Sequence, residues 1–233
     1  MLEVVSRNIL QELDFFELHR KSPERYLALL ESLGEGGNEQ AKQEKSFDLL
    51  LALPQASLES RNRQLSASGW RTPADTDFFS ALSQWQAQEA CESVSGLPFC
   101  GGWFVLLGYE AAELAEPGLT LPPAPPGLPD ALAVRCAGAV IRNRTSGECF
   151  LVAESEAGAA QMQADIDALA TLVDASQANN AAPLCSTAIS EDDPTVFLSG
   201  VHRVLDYLHA GDAYQVNLSR EWRATLNAAD GYH

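Results

Sequence analysis

The stretch GDAYQVNLSREWRA, Gly211 to Ala224, decides how the chain is read. After the glycine, Tyr214, Val216, Leu218 and Trp222 alternate with Gln215, Asn217, Ser219, Glu221 and Arg223, the period-two pattern of a strand. Before it the period is that of a helix. Asp192 or Asp193 is placed to cap a helix with Pro194 in its first turn. Val201, Val204, Leu205 and Leu208 form the apolar stripe, and Gly211 stands where a left-handed C-terminal cap belongs. Apart from Arg220, one face of the expected strand is apolar and needs cover. The other carries Gln215 and Asn217, which suit either a solvated sheet face or the wall of a polar cavity.

The rest of the chain reads as a mixture of short apolar runs and helices. TyrLeuAlaLeuLeu, Tyr26 to Leu30, follows a turn opened by Ser22 and Pro23, and residues 34–46 read as a polar, glycine-rich loop. Phe47 to Pro54 reads as a buried strand stopped by proline. Residues 76–94 are helical in pattern, with Phe78, Leu82 and Trp85 on one stripe. Trp103 to Leu107 reads as a buried strand, and Gly108 as a point of bending or close approach. A proline-rich crossing follows, and then the clearest hairpin, two apolar segments around Asn143 to Gly147. Residues 158–176 form an alanine-rich helix carrying Met162, Ile166, Leu169 and Leu172. In the first 20 residues helix and strand compete. The domain reading is 1–176 as one body, 177–192 as linker and 193–233 as the start of a second.

Charge and cysteine usage narrow the function classes. The 233 residues carry 32 acidic and 15 basic side chains, a net charge of −17, which disfavours a nucleic-acid or anionic-membrane surface. The N-terminus lacks a basic segment followed by an apolar block, and no run has the length of a membrane span. The five cysteines lack zinc-ligand spacing and read as reduced, which together predicts a cytoplasmic protein. His202 and His209 have no partner pattern and read as surface or capping residues.

The late signature resembles the G-D-x-Y-Q-V-N-L-x-x-x-F motif of the aminodeoxychorismate synthase component I branch of the chorismate-utilising enzymes. Three further stretches are similar, in the same order: LALLES at Leu27 to Ser32, GGWFVLLGYEAAELAE from Gly101, and LPDALAVRCAGAVIRNRTSGECFLVAES from Leu128. Val105 stands where the family strand has a third glycine, and Trp222 where it has phenylalanine. The resemblance implies an α+β fold of mainly antiparallel, packed sheets with outer helices, like the N-terminal portion of anthranilate synthase.

The resemblance also implies an activity. Whole members add ammonia from a glutamine amidotransferase partner to chorismate, with Mg²⁺ as cofactor, on the way to para-aminobenzoate and folate. No P-I-K-G-T motif is present in the sequence and no glutamate sits in a Mg²⁺-binding context. The chain is therefore expected to be an N-terminal fragment without catalytic residues, inactive and metal-free on its own. Leu30, Glu31 and Ser32 map onto the family's tryptophan-type pocket. Gln215 and Asn217 map onto the core or the substrate-side wall. Two rival readings are an anthranilate synthase component I fragment and a noncatalytic module that docks an amidotransferase.

Overall fold

A computed structural model of the chain describes residues 5–9, 13–32, 46–89, 96–116, 118–173 and 186–226. The expected loop from Gly34, the tail of the helix ending at Val94, and most of the expected linker lie outside these residues, as do Cys91 and Cys185. The chain divides into two compact units, Met1–Gln177 and Ala178–His233. The architecture is α+β, and among the described residues every strand pairing is antiparallel. Among the described residues no helix is long and apolar enough to cross a membrane.

The first unit is built on a seven-stranded sheet. Its two long strands are β3 (Phe47–Arg61) and β6 (Ala131–Asn143), paired from Phe47 opposite Asn143 to Ser60 opposite Ala131. On the far side of β6 run β5 (Gly102–Leu107) and β7 (Cys149–Ala153), with β1 (Val5–Ile9) beyond β7. On the far side of β3 run β2 (Tyr26–Leu30) and β4 (Gln64–Ser68). β6 reads almost continuously apolar, as a strand with both faces covered must, and it is buried from Ala133 through Ile141.

Helices cover the sheet where the apolar periods predict. In α1 (Phe15–Lys21), Asp14 accepts from the amides of Phe16 and Glu17 at the N-terminus, satisfying two of the helix's unpaired donors. With α4 (Glu156–Val173) it closes a core containing Phe15, Leu18, Tyr26, Leu50, Met162 and Ile166. Tyr26 is fully buried and donates to Asp165 at 2.9 Å, and Arg25 pairs with the same carboxylate. Burial and that carboxylate push the Tyr26 phenol upward, so it stays a neutral donor that ties β2 to α4. α2 (Phe78–Glu89) buries Phe78, Ala81 and Trp85 in a separate cluster with Leu58. Trp85 stacks on Trp70 with centroids 4.8 Å apart and meets Trp103 edge-on.

Two expectations need correction. β3 does not stop at Pro54 but continues to Arg61. Pairing with β2 ends at Ala52 and pairing with β4 begins at Ser57, so the proline sits in the gap where no outer strand needs its missing N–H. Leu53 takes a left-handed φ of 56° there, and the β3–β6 register shifts between Pro54 and Ala56, a bulge. Leu58 and Ser60, in this continuation of the strand, are buried. β5 is an edge strand: Val105, Leu106 and Leu107 are exposed rather than buried.

The second unit holds β8 (Ser186–Glu191), α5 (Pro194–Ala210) and β9 (Trp222–Leu226), with β8 paired to β9. β8 falls inside the stretch read as linker. α5 begins at Asp193, whose side chain accepts from Thr195 N–H, and ends at Gly211 with φ 79°, in agreement with the sequence. The first unit also holds the four-residue α3 (Ala112–Ala115).

Cys100, Cys136 and Cys149 are buried. Burial pushes the Cys136 thiol from an ordinary 9.0 to about 11. The folded state therefore retains a proton that the unfolded chain releases, and stability present below pH 9.0 is lost as pH rises toward 11. Urea denaturation across that alkaline window should show the decline, and Cys136→Ala should flatten it.

Candidate functional site

Ser32 lies two residues past the end of β2, and β3 runs back beside that strand with Leu30 opposite Leu49. The Ser32 amide donates to Asp48 Oδ1 at 3.1 Å, and its hydroxyl donates to the Phe47 carbonyl at 2.9 Å. Its own carbonyl accepts from Arg144 Nη1 at 2.9 Å. Every polar group of the serine is thus engaged by the strand start or by the β6–β7 turn.

Asp48 is the centre of this arrangement. It is 3% exposed, and an isolated carboxylate at that depth would cost several kcal/mol. Arg144 reaches the same oxygen at 3.2 Å, and Arg142 lies 3.9 Å from the other. The Arg142 guanidinium also lies over the Phe15 ring at 4.5 Å and donates to the Leu13 carbonyl. One carboxylate thereby joins β2, β3, β6 and the segment entering α1.

Beside this node a cleft of about 650 Å³ opens among Leu13, Phe15, Phe16, Leu29, Glu31 and Arg142. It offers aromatic surface, the carboxylates of Asp14 and Glu31 and the Arg142 guanidinium, with Asp14 already capping α1, the elements needed to hold both ends of a zwitterion and an apolar side chain between them. Glu31 lines the cleft, whereas Leu30 and Ser32 do not. Leu30 is exposed and Ser32 half-buried. Sequence reasoning missed Asp48, Arg142 and Arg144. The available signals were a lone aspartate in the apolar run FDLLLALP and two arginines in VIRNRTSG.

Gln215 and Asn217 lie in the second unit, exposed, with Gln215 Nε2 3.5 Å from Asn217 Oδ1. The strand expected over them starts only at Trp222. Among the described residues no strand ladder includes Tyr214 to Glu221; only its end is tied down, by Arg220 donating to the Asp192 carbonyl at 2.9 Å and by the Glu221 carbonyl accepting from Asp192 N–H at 3.4 Å. Its apolar members are exposed, Tyr214 fully so at 99%. Among the described residues no group of His, Cys, Asp and Glu is arranged to hold a metal ion.

Comparison with known proteins then identifies the relationship. A family model described as chorismate binding enzyme matches residues 38–232. Over 147 residues the chain is 33% identical to the 2-amino-4-deoxychorismate synthase of Streptomyces globisporus, an alignment covering 60% of this chain and 29% of that protein. Anthranilate synthase component I from Streptococcus pneumoniae TIGR4 is similar with a TM-score of 0.46 and 20% identity, over 79% of this chain and 41% of that one. The matches thus span less than half the length of either relative.

The Asp48 node is testable through stability. Asp48→Asn should cost about 2 kcal/mol, because a neutral amide leaves two guanidinium groups facing it. Ser32→Ala should cost about 1 kcal/mol for the lost bond to Phe47. Urea denaturation midpoints measure both, and the order of the two effects is the decisive feature.

Proposed function

The chain belongs to the chorismate-binding enzyme family, and on that premise we propose that it is the N-terminal part of an enzyme that aminates chorismate. The reaction exchanges the 4-hydroxyl group of chorismate for an amino group supplied as ammonia, releasing water and forming 4-amino-4-deoxychorismate for para-aminobenzoate and folate synthesis. A glutamine amidotransferase supplies the ammonia in the cytoplasm. The observation that carries this reading is the family match across residues 38–232, which includes the Tyr-Gln-Val-Asn-Leu sequence at Tyr214 to Leu218.

The residues described here do not fit the Mg²⁺ ion that the resemblance implies, and no step is assigned to it. Mg²⁺ belongs, in this proposal, to acidic residues elsewhere in the whole enzyme. In this proposal an amino-acid site of tryptophan type is built around Leu30, Glu31 and Ser32, with Glu31 lining the cleft and Ser32 exchanging its bond to Phe47 for one to the ligand. Gln215 and Asn217 contribute to the core or to the wall on the substrate side. The Streptomyces relative supports a second reading, since its name places the amine at C2 instead of C4.

The test is an assay of the full-length enzyme with chorismate, Mg²⁺ and ammonium salt. The C4 reading expects 4-amino-4-deoxychorismate, and a 2-amino product or anthranilate replaces it with the C2 reading. No aminated product from any chorismate isomer would remove both. The 233-residue chain alone should give no turnover, because the sequence lacks P-I-K-G-T. It should also show no saturable heat on titration with L-tryptophan. Micromolar binding that Ser32→Ala abolishes would instead demonstrate a complete pocket within this chain.

A further inference from the structure

The proline-rich crossing between α3 and β6 plays no part in the site described above. At its centre stands Leu-Pro-Pro-Ala-Pro-Pro, Leu121 to Pro126. A proline ring fixes its own φ near the polyproline II value, and the residue before a proline is kept out of the helical region. One constraint or the other acts at all six positions.

Exposure follows the same conformation. Leu121 and Ala124 are half-buried, whereas Pro122, Pro123, Pro125 and Pro126 are exposed. A repeat of three is the period of a polyproline II helix. One ridge therefore rests on the protein, and two ridges, Pro122 with Pro125 and Pro123 with Pro126, face solvent.

Both ends of the segment are anchored. Leu121 N–H donates to Glu113 Oε1 on α3. Gly127 takes φ 91°, and Leu128 N–H donates to the Pro125 carbonyl at 3.1 Å, closing a turn. Arg61 at the end of β3 donates to the Leu128 carbonyl at 3.2 Å. The extended form is thus set before any partner arrives, and binding it costs little ordering.

The presented chemistry is restricted. Proline has no N–H, so four of the six residues offer the backbone carbonyl alone. Leu119 and Leu128, at the two ends, are 44% and 55% exposed. Ridges of this kind are read by grooves walled with aromatic side chains. Charge adds a second requirement. Glu110, Glu113 and Asp130 line the wall under the segment with Arg63, which pairs with Glu113. Glu116 is exposed nearby, and the chain as a whole carries −17. A complementary groove has a basic rim.

We propose that Leu121 to Pro126 is a docking site for a protein partner whose groove is walled by aromatic side chains and rimmed by basic ones. Neither chorismate nor the Ser32 cleft enters the argument, so it stands or falls separately from the proposed activity. The probe is an isolated WW domain with a basic groove rim, a small proline-reading fold, titrated calorimetrically with the 233-residue chain. The expected result is saturable binding with a Kd of about 1 mM or tighter, weakening as ionic strength rises. Pro122→Ala combined with Pro125→Ala should weaken it about tenfold or more. Pro23→Ala, at another exposed proline, should leave it unchanged. A synthetic peptide of residues 119–129 should bind no more tightly than the chain, because the protein already holds the segment extended.

Failure to saturate, undiminished affinity in the double variant, or tighter binding by the peptide than by the chain would each overturn the proposal. Should the double variant not fold, Pro122→Ala alone decides, and full affinity in that variant counts against the site.

Discussion

The ladder between β3 and β6 is the interaction on which the first unit depends. Every other strand of the sheet is attached to one of these two or hangs from a strand that is. Long strands of this kind need apolar side chains on both faces, because helices or loops cover both. Leu50 and Ala52 belong to the core under α1 and α4, while Leu51 between them belongs to the opposite cluster. The ladder carries the backbone hydrogen bonds, and the alternation distributes burial to either side.

Buried charge is placed where strands begin and end. Asp48 stands at the start of β3 and gathers Arg142, Arg144 and the Ser32 amide. Asp130, 7% exposed just before β6, accepts from the Arg63 amide at 2.9 Å, and its own amide donates to Ser60 at 2.8 Å. Arg135 sits within β6 and binds the segment after β7 and the end of α2. Such groups give little net stability over an apolar replacement. Their effect is geometric: each fixes which chain segment lies beside which.

Much of the fold was legible in the sequence because local signals and tertiary context agree there. The hairpin of β6 and β7, α2, α4, and α5 with its Asp193 and Gly211 caps all follow from period and end residues. The failures share a cause. Pro54 read as a stop because a proline in a central strand loses a hydrogen bond, and no sequence pattern reveals that its outer neighbours part at that point. Tyr214 to Leu218 alternates perfectly yet forms no strand, since a strand needs a partner as well as a pattern. The apolar run at Val105 to Leu107 signals strand correctly but says nothing of its place at the sheet edge. Ser32 could be located from its motif. Its engagement by Asp48 and Arg144 could not, because those residues lie 16 and 112 positions away.

The bulge at Leu53 and Pro54 makes the sheet a jointed object. Below it β3 is flanked by β2, above it by β4, and β6 changes neighbour from β7 to β5 at nearly the same level. Two small sheets thus share a common spine, each free to twist at its own pitch. A slit at the joint is then an architectural by-product, and the Arg135–Glu154 pair lies in its wall. Sequence drift in one half need not disturb the geometry of the other, so the two ends of the same spine are able to diversify separately.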